Sequence, residues 1–260
     1  MRAIYVDKHI PRALLTKAIS PLWNGFIWTP FSAARAGSLD DLPLPGPRWI
    51  RVKNLACGIC ATDLSLLFVK ADPSVAPAAL PGLQRFYLGH EAVSVVTEVG
   101  PGVTAFHVGD RVIMDKHFYG ANCLNLELEQ PCEMCLQGET NFCFHKSDYP
   151  YFGVGGGFGD GYVTHETGVQ LCPLELTLDQ AVLVEPLGIG THTVLRHPPK
   201  PGAKVLIIGA GMIGLSVLMA VRAAQPACEV TVLARYDFEA QMAERLGARN
   251  ILYQSDGYRG

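Results

Sequence analysis

Alternating hydrophobic and polar residues mark several short strands in the first two thirds of the chain. Residues 1–6 and 48–55 alternate in this way. Residues 91–99 are another strand candidate before a Gly-Pro-Gly turn, and residues 111–114 follow a tight Gly-Asp turn. Strands show this alternation because successive side chains point to opposite faces of a sheet. Many short strands separated by glycine and proline predict a mostly β domain over residues 1–175.

The pattern changes after about residue 175, where strands begin to alternate with helices. Residues 179–195 have helical character, and we expect Pro186 to kink or restart that helix. Strands are predicted over 204–208, 229–234 and 250–253. Helices are predicted between them, one from the glycine turn after residue 208 up to residue 224 and one over 237–246. This alternation predicts a parallel sheet, so residues 176–260 form an α/β domain.

Composition and charge exclude several classes of protein. The 260 residues are 49% hydrophobic and 17% charged, which is typical of a globular protein. The net charge is −3 and no run of Lys or Arg occurs, so we expect no nucleic-acid partner. The apolar stretch 205–221 is short for a membrane span and contains glycines at an unrelated spacing. With no signal sequence visible at the start, we expect a cytoplasmic protein without a membrane span.

The cysteines favour metal binding over disulfides. The chain has eight, of which four lie between residues 123 and 143. In a secreted domain they would indicate disulfides, but this sequence lacks a secretory signal. We interpret Cys57, Cys172 and Cys228 as core residues.

A glycine-rich turn indicates a dinucleotide site. Gly209-Ala210-Gly211-Met212-Ile213-Gly214 lies between a buried strand and an apolar helix, and a second strand ends about 20 residues later. In this context Gly209 makes the tight turn, Gly211 lets the backbone approach a pyrophosphate, and Gly214 allows close packing of helix and strand. The alternative is an ordinary strand-to-helix turn.

Three residues from separate segments could share a metal. One cysteine of the pair Cys57 and Cys60, with His90 and Glu185, offers a thiolate, an imidazole and a carboxylate, which can form a zinc site with one open position. Each residue taken alone is equally consistent with an ordinary structural role.

The order of the motifs resembles the zinc-dependent medium-chain dehydrogenase/reductase family. From residue 48 onward the chain contains CGICATD, GHE, VGPGV, FHVGDRV, VEPLGIGTH and GAGMIG in that order. The resemblance implies a GroES-like catalytic domain over 1–175 and the first half of a Rossmann domain over 176–260. It also implies hydride transfer between a secondary alcohol, polyol or sugar and NAD(P), with a small alcohol or carbonyl compound as substrate and a homo-oligomeric full-length protein.

The resemblance also assigns roles to residues of the catalytic site. Cys60, His90 and Glu185 are the implied zinc ligands, and Glu91 is the neighbouring carboxylate. Asp63 would orient His90, and Thr62 would pass the substrate proton toward solvent. The family's downstream relay histidine has no counterpart, because Ser65 occupies its approximate place.

A second zinc site is implied over residues 121–145. Cys132, Cys135 and Cys143 match a structural zinc lobe whose first cysteine is replaced here by Glu129. Cys123 could supply the fourth thiolate through a longer loop, and we favour it over Glu129 or an empty site.

The end of the second α/β strand favours NADP over NAD. NAD-preferring proteins carry an acidic residue there, which accepts hydrogen bonds from the ribose hydroxyls. Here the position is Ala234, and Arg235 follows with a guanidinium that can pair with a phosphate.

Two features depart from the family. A complete dinucleotide fold needs two mononucleotide halves, so we expect either a C-terminally truncated piece or a short protein that keeps the zinc domain and only half of the cofactor domain. The alternative function is a non-catalytic zinc-stabilised module without a complete cofactor site.

The stretch 8–38 is also longer than the family's usual connection. It could cover the substrate cleft, pack as a surface helix or contact a membrane surface.

Overall fold

The chain divides into two compact units. The computed structural model describes residues 1–7, 9–38, 40, 43–70, 86–115, 122–145 and 154–254. The first unit spans Met1–Val182 and the second Leu183–Gly260, a division a few residues beyond the predicted 175/176 border.

An antiparallel sheet forms the centre of the first unit. Among the described residues its strand order is β7-β8-β3-β5-β6-β9. These strands are β3 (Trp49–Gly58), β5 (Glu91–Val99), β6 (Arg111–Met114), β7 (Val154–Gly155), β8 (Gly161–His165) and β9 (Val169–Leu171). One face carries a buried core that includes Ile50, Val52, Val96 and Tyr162. Burial of each aliphatic side chain stabilises the sheet by roughly 1.5–3 kcal/mol.

A smaller sheet holds the N-terminal segment. Its order is β2-β1-β4 among the described residues, with β1 at Arg2–Val6, β2 at Ala34–Ser38 and β4 at Phe86–Tyr87. Between β1 and β2 the chain forms helix α1 (Ile10–Ile19) and a 3-10 helix (Asn24–Trp28). The buried Thr16 hydroxyl accepts a hydrogen bond from the Ala33 amide at 2.8 Å, which ties α1 to the strand that follows. The long N-terminal stretch is therefore a folded insertion.

Short helices complete the first unit. They are α2 (Ala61–Leu67), α3 (Glu133–Leu136), α4 (Leu178–Ala181) and the 3-10 helices Thr140–Phe142 and Glu166–Gly168. No helix among the described residues has the length and hydropathy needed to cross a membrane.

The second unit is a parallel α/β layer. Its elements are α5 (Val184–Arg196), β10 (Lys204–Ile208), α6 (Met212–Ala224), β11 (Glu229–Ala234), α7 (Asp237–Arg245) and β12 (Asn250–Tyr253). The described strands lie in the order β10-β11-β12, and both neighbouring pairs are parallel. Apolar side chains of α6 and α7 pack on one face of β11, where Val230 and Val232 are fully buried. The fold class predicted from the sequence is confirmed.

The predicted helix over 179–195 is broken before Pro186. Helix α4 ends at Ala181 and α5 begins at Val184. Pro186 is the third residue of α5, where a backbone N–H would have no partner within the helix. A proline is tolerated there, so the helix restarts just ahead of it.

Candidate functional site

Cys60 stands at the start of helix α2 in a tightly bonded turn. It is the residue that precedes the helix, and its backbone N–H donates to Oδ2 of Asp63 at 3.2 Å. Its sulfur lies 3.6 Å from the hydroxyl of Thr62. The CGICATD sequence thus folds so that the Asp63 side chain fixes the backbone of Cys60.

The same carboxylate holds His90. Oδ1 of Asp63 accepts from the Gly89 amide at 2.9 Å and lies 3.2 Å from Nδ1 of His90. Asp63 is 1% exposed, so its contacts with Cys60, Gly89 and His90 are protected from water. Because Nδ1 faces Asp63, Nε2 is the nitrogen that can take a metal.

Gly89 has no room for a side chain. Its φ is +85°, and a Cβ atom would lie 2.5 Å from the backbone nitrogen of Phe158. Both facts require glycine just before His90.

Strand pairing brings the two segments together. In the antiparallel β3–β5 ladder, Gly58 pairs with Glu91 at one end of the sheet. Cys60 follows the end of β3, and His90 precedes the start of β5. One ligand atom each from Cys60, His90 and Glu91 therefore lies within 4.8 Å of the others. A Cβ atom at Gly58 would overlap the Glu91 carboxylate, so a glycine there keeps the space open.

The charges of this cluster suit a cation. Burial lowers the pKa of His90, but the hydrogen bond and charge of Asp63, with the Cys60 thiol, outweigh it and raise the pKa to about 9. Burial, with a contribution from Asp63, raises the pKa of Glu91. Burial also raises the pKa of Cys57 to about 12, so this neighbouring cysteine remains a thiol.

The residues present fit a zinc ion. A thiolate and an imidazole held by a buried carboxylate form a common zinc environment. A metal must displace the His90 proton, so its affinity for this cluster falls as the pH drops below about 9. Glu185 lies in the first turn of α5 in the second unit, and its role as third ligand stays a prediction.

Four cysteines form a second cluster. Ligand atoms of Cys123, Cys132, Cys135 and Cys143 lie within 4.8 Å of one another. The sulfur of Cys143 is 3.6 Å from that of Cys123 and 4.0 Å from that of Cys132. Zinc–sulfur bonds of about 2.3 Å in a tetrahedron put sulfur atoms about 3.8 Å apart, so the cluster fits zinc. All eight cysteines lie in the described part of the chain and none forms a disulfide.

The loop after Cys123 brings it to the cluster. The side chain of Asn122 accepts from the amides of Leu124 and Asn125 at 2.9 and 3.1 Å, and this closes a compact turn. Cys123 is fully buried, whereas Glu129 is exposed and is absent from the group. The geometry thus places Cys123, the residue that we favoured over Glu129, with the other three cysteines.

The thiols of this cluster differ in their proton affinity. A hydrogen bond from the backbone of Phe144 lowers the pKa of Cys132 to about 6. Burial raises the pKa of Cys135 to about 12. Backbone amides that point at sulfur atoms of this cluster favour the thiolate form, which is the form that binds a metal.

The glycine-rich turn of the second unit has the expected shape. Gly209 has a φ of +99°, and Gly211 is the residue that precedes α6. A Cβ atom at Gly214 would overlap the carbonyl oxygen of Gly209, so the helix passes very close to the turn. Met212 and Ile213 begin α6, where free amides can face a phosphate.

The end of β11 places Ala234 in the core and Arg235 at the surface. Ala234 is fully buried, and the Arg235 guanidinium lies 5.2 Å from the ring centre of Tyr236. The amide of Arg235 donates to the carboxylate of Glu239 at 3.3 Å. The Glu239 carboxylate therefore lies at the backbone of Arg235, and the guanidinium lies over the ring of Tyr236.

Comparison with known proteins identifies the family. Residues 46–174 match the family model described as the alcohol dehydrogenase GroES-like domain. (R,R)-butanediol dehydrogenase of Saccharomyces cerevisiae is 32% identical over 207 residues, which are 74% of this chain and 52% of that protein. L-threonine 3-dehydrogenase of Pyrococcus horikoshii is 32% identical over 216 residues, which are 82% of this chain and 56% of that protein.

The chain belongs to the medium-chain alcohol dehydrogenase family. It spans about half the length of the curated relatives that it matches. Among solved structures, a protein assigned as a zinc-binding dehydrogenase of Sinorhizobium meliloti 1021, bound to NADP, has a TM-score of 0.64 at 29% identity, covering 85% of this chain and 58% of its own. Galactitol-1-phosphate dehydrogenase of Escherichia coli shares the fold, with a TM-score of 0.68 at 22% identity, covering 98% of this chain and 61% of its own.

Sequence reasoning missed two features of this alcohol dehydrogenase fold. Gly58 makes room for Glu91, and its only sequence signal is a glycine at a strand end between two cysteines. The N-terminal insertion also places Trp28 and Arg35 around a cavity beside α2, and no pattern in the sequence indicates that cavity.

Proposed function

We propose that this chain carries the catalytic zinc domain and the first half of the cofactor domain of an NAD(P)-dependent dehydrogenase. Its substrates are secondary alcohols, polyols or sugars. The proposal rests on the close approach of the ligand atoms of Cys60, His90 and Glu91, and on the contact between His90 and the buried Asp63. The names of the relatives support the substrate class, since they are a butanediol, a threonine and a sorbitol dehydrogenase.

The protein's own residues would hold zinc and direct a proton. Cys60, His90 and Glu185 would bind the metal, and the Cys60 thiolate and Glu185 carboxylate would balance its charge. A bound zinc supplies Lewis acidity, which lowers the pKa of an alcohol, and a bound nicotinamide supplies the hydride acceptor. Asp63 fixes the ring of His90, and the exposed Thr62 hydroxyl would relay the substrate proton, accepting it while its own proton passes to solvent.

The second unit would bind the pyrophosphate of the cofactor. The turn from Gly209 to Gly214 offers backbone amides and the positive end of α6, both of which favour phosphate. The close passage at Gly214 keeps that helix end against the strand.

Alcohol-dependent reduction of NADP tests this function. The protein from the complete reading frame, loaded with zinc, is expected to reduce NADP with 2,3-butanediol, threonine or sorbitol, measured at the nicotinamide absorbance. A Glu185→Gln variant is expected to lose at least about 100-fold in kcat/KM, because a ligand charge is removed. Bound zinc without nicotinamide reduction by any alcohol would favour the alternative, a non-catalytic zinc-stabilised module.

The cofactor preference is expected to depend on Arg235. The strand end at Ala234 lacks the acidic residue of NAD-preferring proteins, and Arg235 can pair with a 2′-phosphate, although the Glu239 carboxylate that accepts from the Arg235 amide lies nearby. We expect Arg235→Ala to lower kcat/KM for NADP by about tenfold and to leave NAD nearly unchanged. Arg249→Ala, which removes an exposed arginine paired with Glu229, is the matched control. Equal efficiencies with the two cofactors in the unmodified protein would contradict this preference.

A further inference from the structure

One carboxylate connects the lobe that carries the four cysteines, residues 122–145, to the main sheet. Oε1 of Glu127 accepts a hydrogen bond from the Arg48 amide at 3.0 Å. A Cβ atom at Gly46 would lie 2.7 Å from this same oxygen and 3.0 Å from Cδ1 of Trp49, the first residue of β3. The Glu127 carboxylate therefore fills the turn from which β3 begins, and the glycine leaves room for it.

The lobe holds Glu127 in an unusual backbone conformation. Its φ is +53°, which is uncommon for a residue with a side chain. The Glu127 amide donates to the Leu124 carbonyl at 3.0 Å. The next amide, that of Leu128, donates to the Cys123 carbonyl at 3.0 Å, and both leucines pack against the cysteine cluster. Because this turn is bonded to Cys123, the backbone at Glu127 depends on a residue of the predicted zinc site.

A buried histidine approaches the same carboxylate from the sheet. His165 ends β8 and is 2% exposed, and its Nε2 atom lies 3.9 Å from Oε1 of Glu127. Burial, with the charge of Arg48, lowers the pKa of His165 to about 4, so the ring is neutral. Nδ1 accepts from the Thr167 amide at 3.3 Å, which leaves the ring hydrogen on Nε2. That buried donor has no hydrogen-bond partner among the described residues, and a carboxylate beside it lowers the cost.

Arg48 extends the contact to both strands at this end of the sheet. Its carbonyl accepts from the Glu166 amide at 3.0 Å, and its guanidinium pairs with the buried Glu166 carboxylate. The next residue, Trp49, pairs with His165 in the β3–β8 ladder. Since β3 has ten residues, this end of the sheet lies about 30 Å from the catalytic Cys60. The lobe therefore contacts a part of the sheet that the candidate catalytic site does not use.

We propose that Glu127 is a positioning residue that couples metal binding by the four cysteines to the order of the sheet end at Arg48. With a metal bound, the turn after Cys123 is fixed and directs the carboxylate to the Arg48 amide. Without the metal, the turn loses its anchor, and both the Arg48 amide and His165 lose the carboxylate beside them. This inference rests on metal binding by the cluster and not on the proposed hydride transfer.

Hydrogen exchange at the Arg48 amide tests the coupling directly. The full chain with Cys60→Ala is compared with zinc bound and after dialysis against a chelator, so that the cysteine cluster is the zinc site that changes. Removal of zinc is expected to speed exchange at Arg48 by at least about tenfold, because the amide loses its acceptor. The amide of Val96, which donates to the Asp110 carbonyl within the same sheet, is the internal control and should not change.

Variants at Glu127 separate the carboxylate from the fold of the lobe. Glu127→Ala is expected to exchange fast at Arg48 even with zinc bound, and zinc removal should then change the rate by less than about twofold. Glu127→Gln keeps an acceptor oxygen and should retain most of the zinc dependence. Glu129→Gln, in the same loop but exposed, is the matched control.

The coupling also predicts an effect on zinc affinity. If zinc favours the Glu127 contact, the contact favours zinc by the same factor, since linkage is reciprocal. Glu127→Ala should therefore weaken zinc binding by roughly tenfold in competition with a chelator, whereas Glu129→Gln should not. Glu127→Gly removes the carboxylate and suits the positive φ, so it should uncouple Arg48 from zinc as Glu127→Ala does.

Three results would overturn the proposal. The first is a lobe that binds no zinc, and the second is exchange at Arg48 that zinc removal leaves unchanged. The third is zinc-dependent exchange that persists in Glu127→Ala or Glu127→Gly, because other contacts of the lobe would then carry the coupling. None of these measurements needs an alcohol or a nicotinamide, so their failure is independent of the dehydrogenase proposal.

Discussion

Replacing Cys123 with serine is expected to remove one zinc ion per chain and to unfold the lobe around it. Cys123 is fully buried at the centre of the four-cysteine cluster, and serine cannot supply the thiolate. Structural zinc sites contribute on the order of 10 kcal/mol to folding, so little else would keep this loop-rich lobe in place. Zinc content by atomic emission and limited proteolysis over residues 122–145 measure the two effects.

Two control variants isolate the cluster from other effects. Cys172→Ser alters a buried cysteine outside the cluster, and Glu129→Gln alters the other ligand that the sequence allows. Both are expected to keep the full zinc content. A loss of zinc in Glu129→Gln, with none in Cys123→Ser, would assign the fourth ligand to Glu129 instead.

Replacing Cys60 with alanine is expected to remove a different zinc ion and at least about 1000-fold of any dehydrogenase kcat. The variant loses a charged ligand at the site where His90 and Glu91 converge. Cys57→Ala is a matched control three residues earlier, near the end of strand β3. Burial holds the pKa of Cys57 at about 12, so its thiol is not expected to bind zinc.

The proton held by His90 offers a second measurement at this site. Its pKa of about 9 means that zinc competes with a proton at neutral pH, so zinc affinity should rise as the pH rises toward 9. Asp63→Asn should flatten that dependence, because the Asp63 charge and hydrogen bond are what raise the pKa. Retention of all zinc by Cys60→Ala would contradict the assignment of this site.

Much of the fold could be predicted because its strands have clear periodicity. The strand predicted over 91–99 is observed as Glu91–Val99, and those over 204–208 and 229–234 also match. In each, burial on one or both faces leaves a pattern in the sequence. The glycine turn was predictable for a similar reason, since Gly209 adopts a positive φ and Gly214 has no room for a Cβ atom.

Other features depend on contacts that no local pattern records. Pro186 suggested where a helix would restart, but a proline suits the whole first turn, so the restart lies earlier at Val184. The position of Cys123 depends on the turn closed by Asn122. The cavity beside α2 depends on the packing of a folded insertion whose exposed aromatic residues also fit a plain surface helix.

The ladder between β3 and β5 also affects how insertions and deletions should be judged. Cys60 and His90 come together because Gly58 pairs with Glu91 and Cys57 with Ala92. Loss of a single codon between Ala92 and Val99 would keep every ligand in the translated sequence. Unless a β-bulge absorbed it, such a loss would shift this pairing by one step and exchange the two faces of the strand. A gene with such a frame-preserving deletion would still contain every recognisable motif, yet it would encode a protein without the metal site. Motif inspection alone therefore overestimates which variants of this gene remain functional.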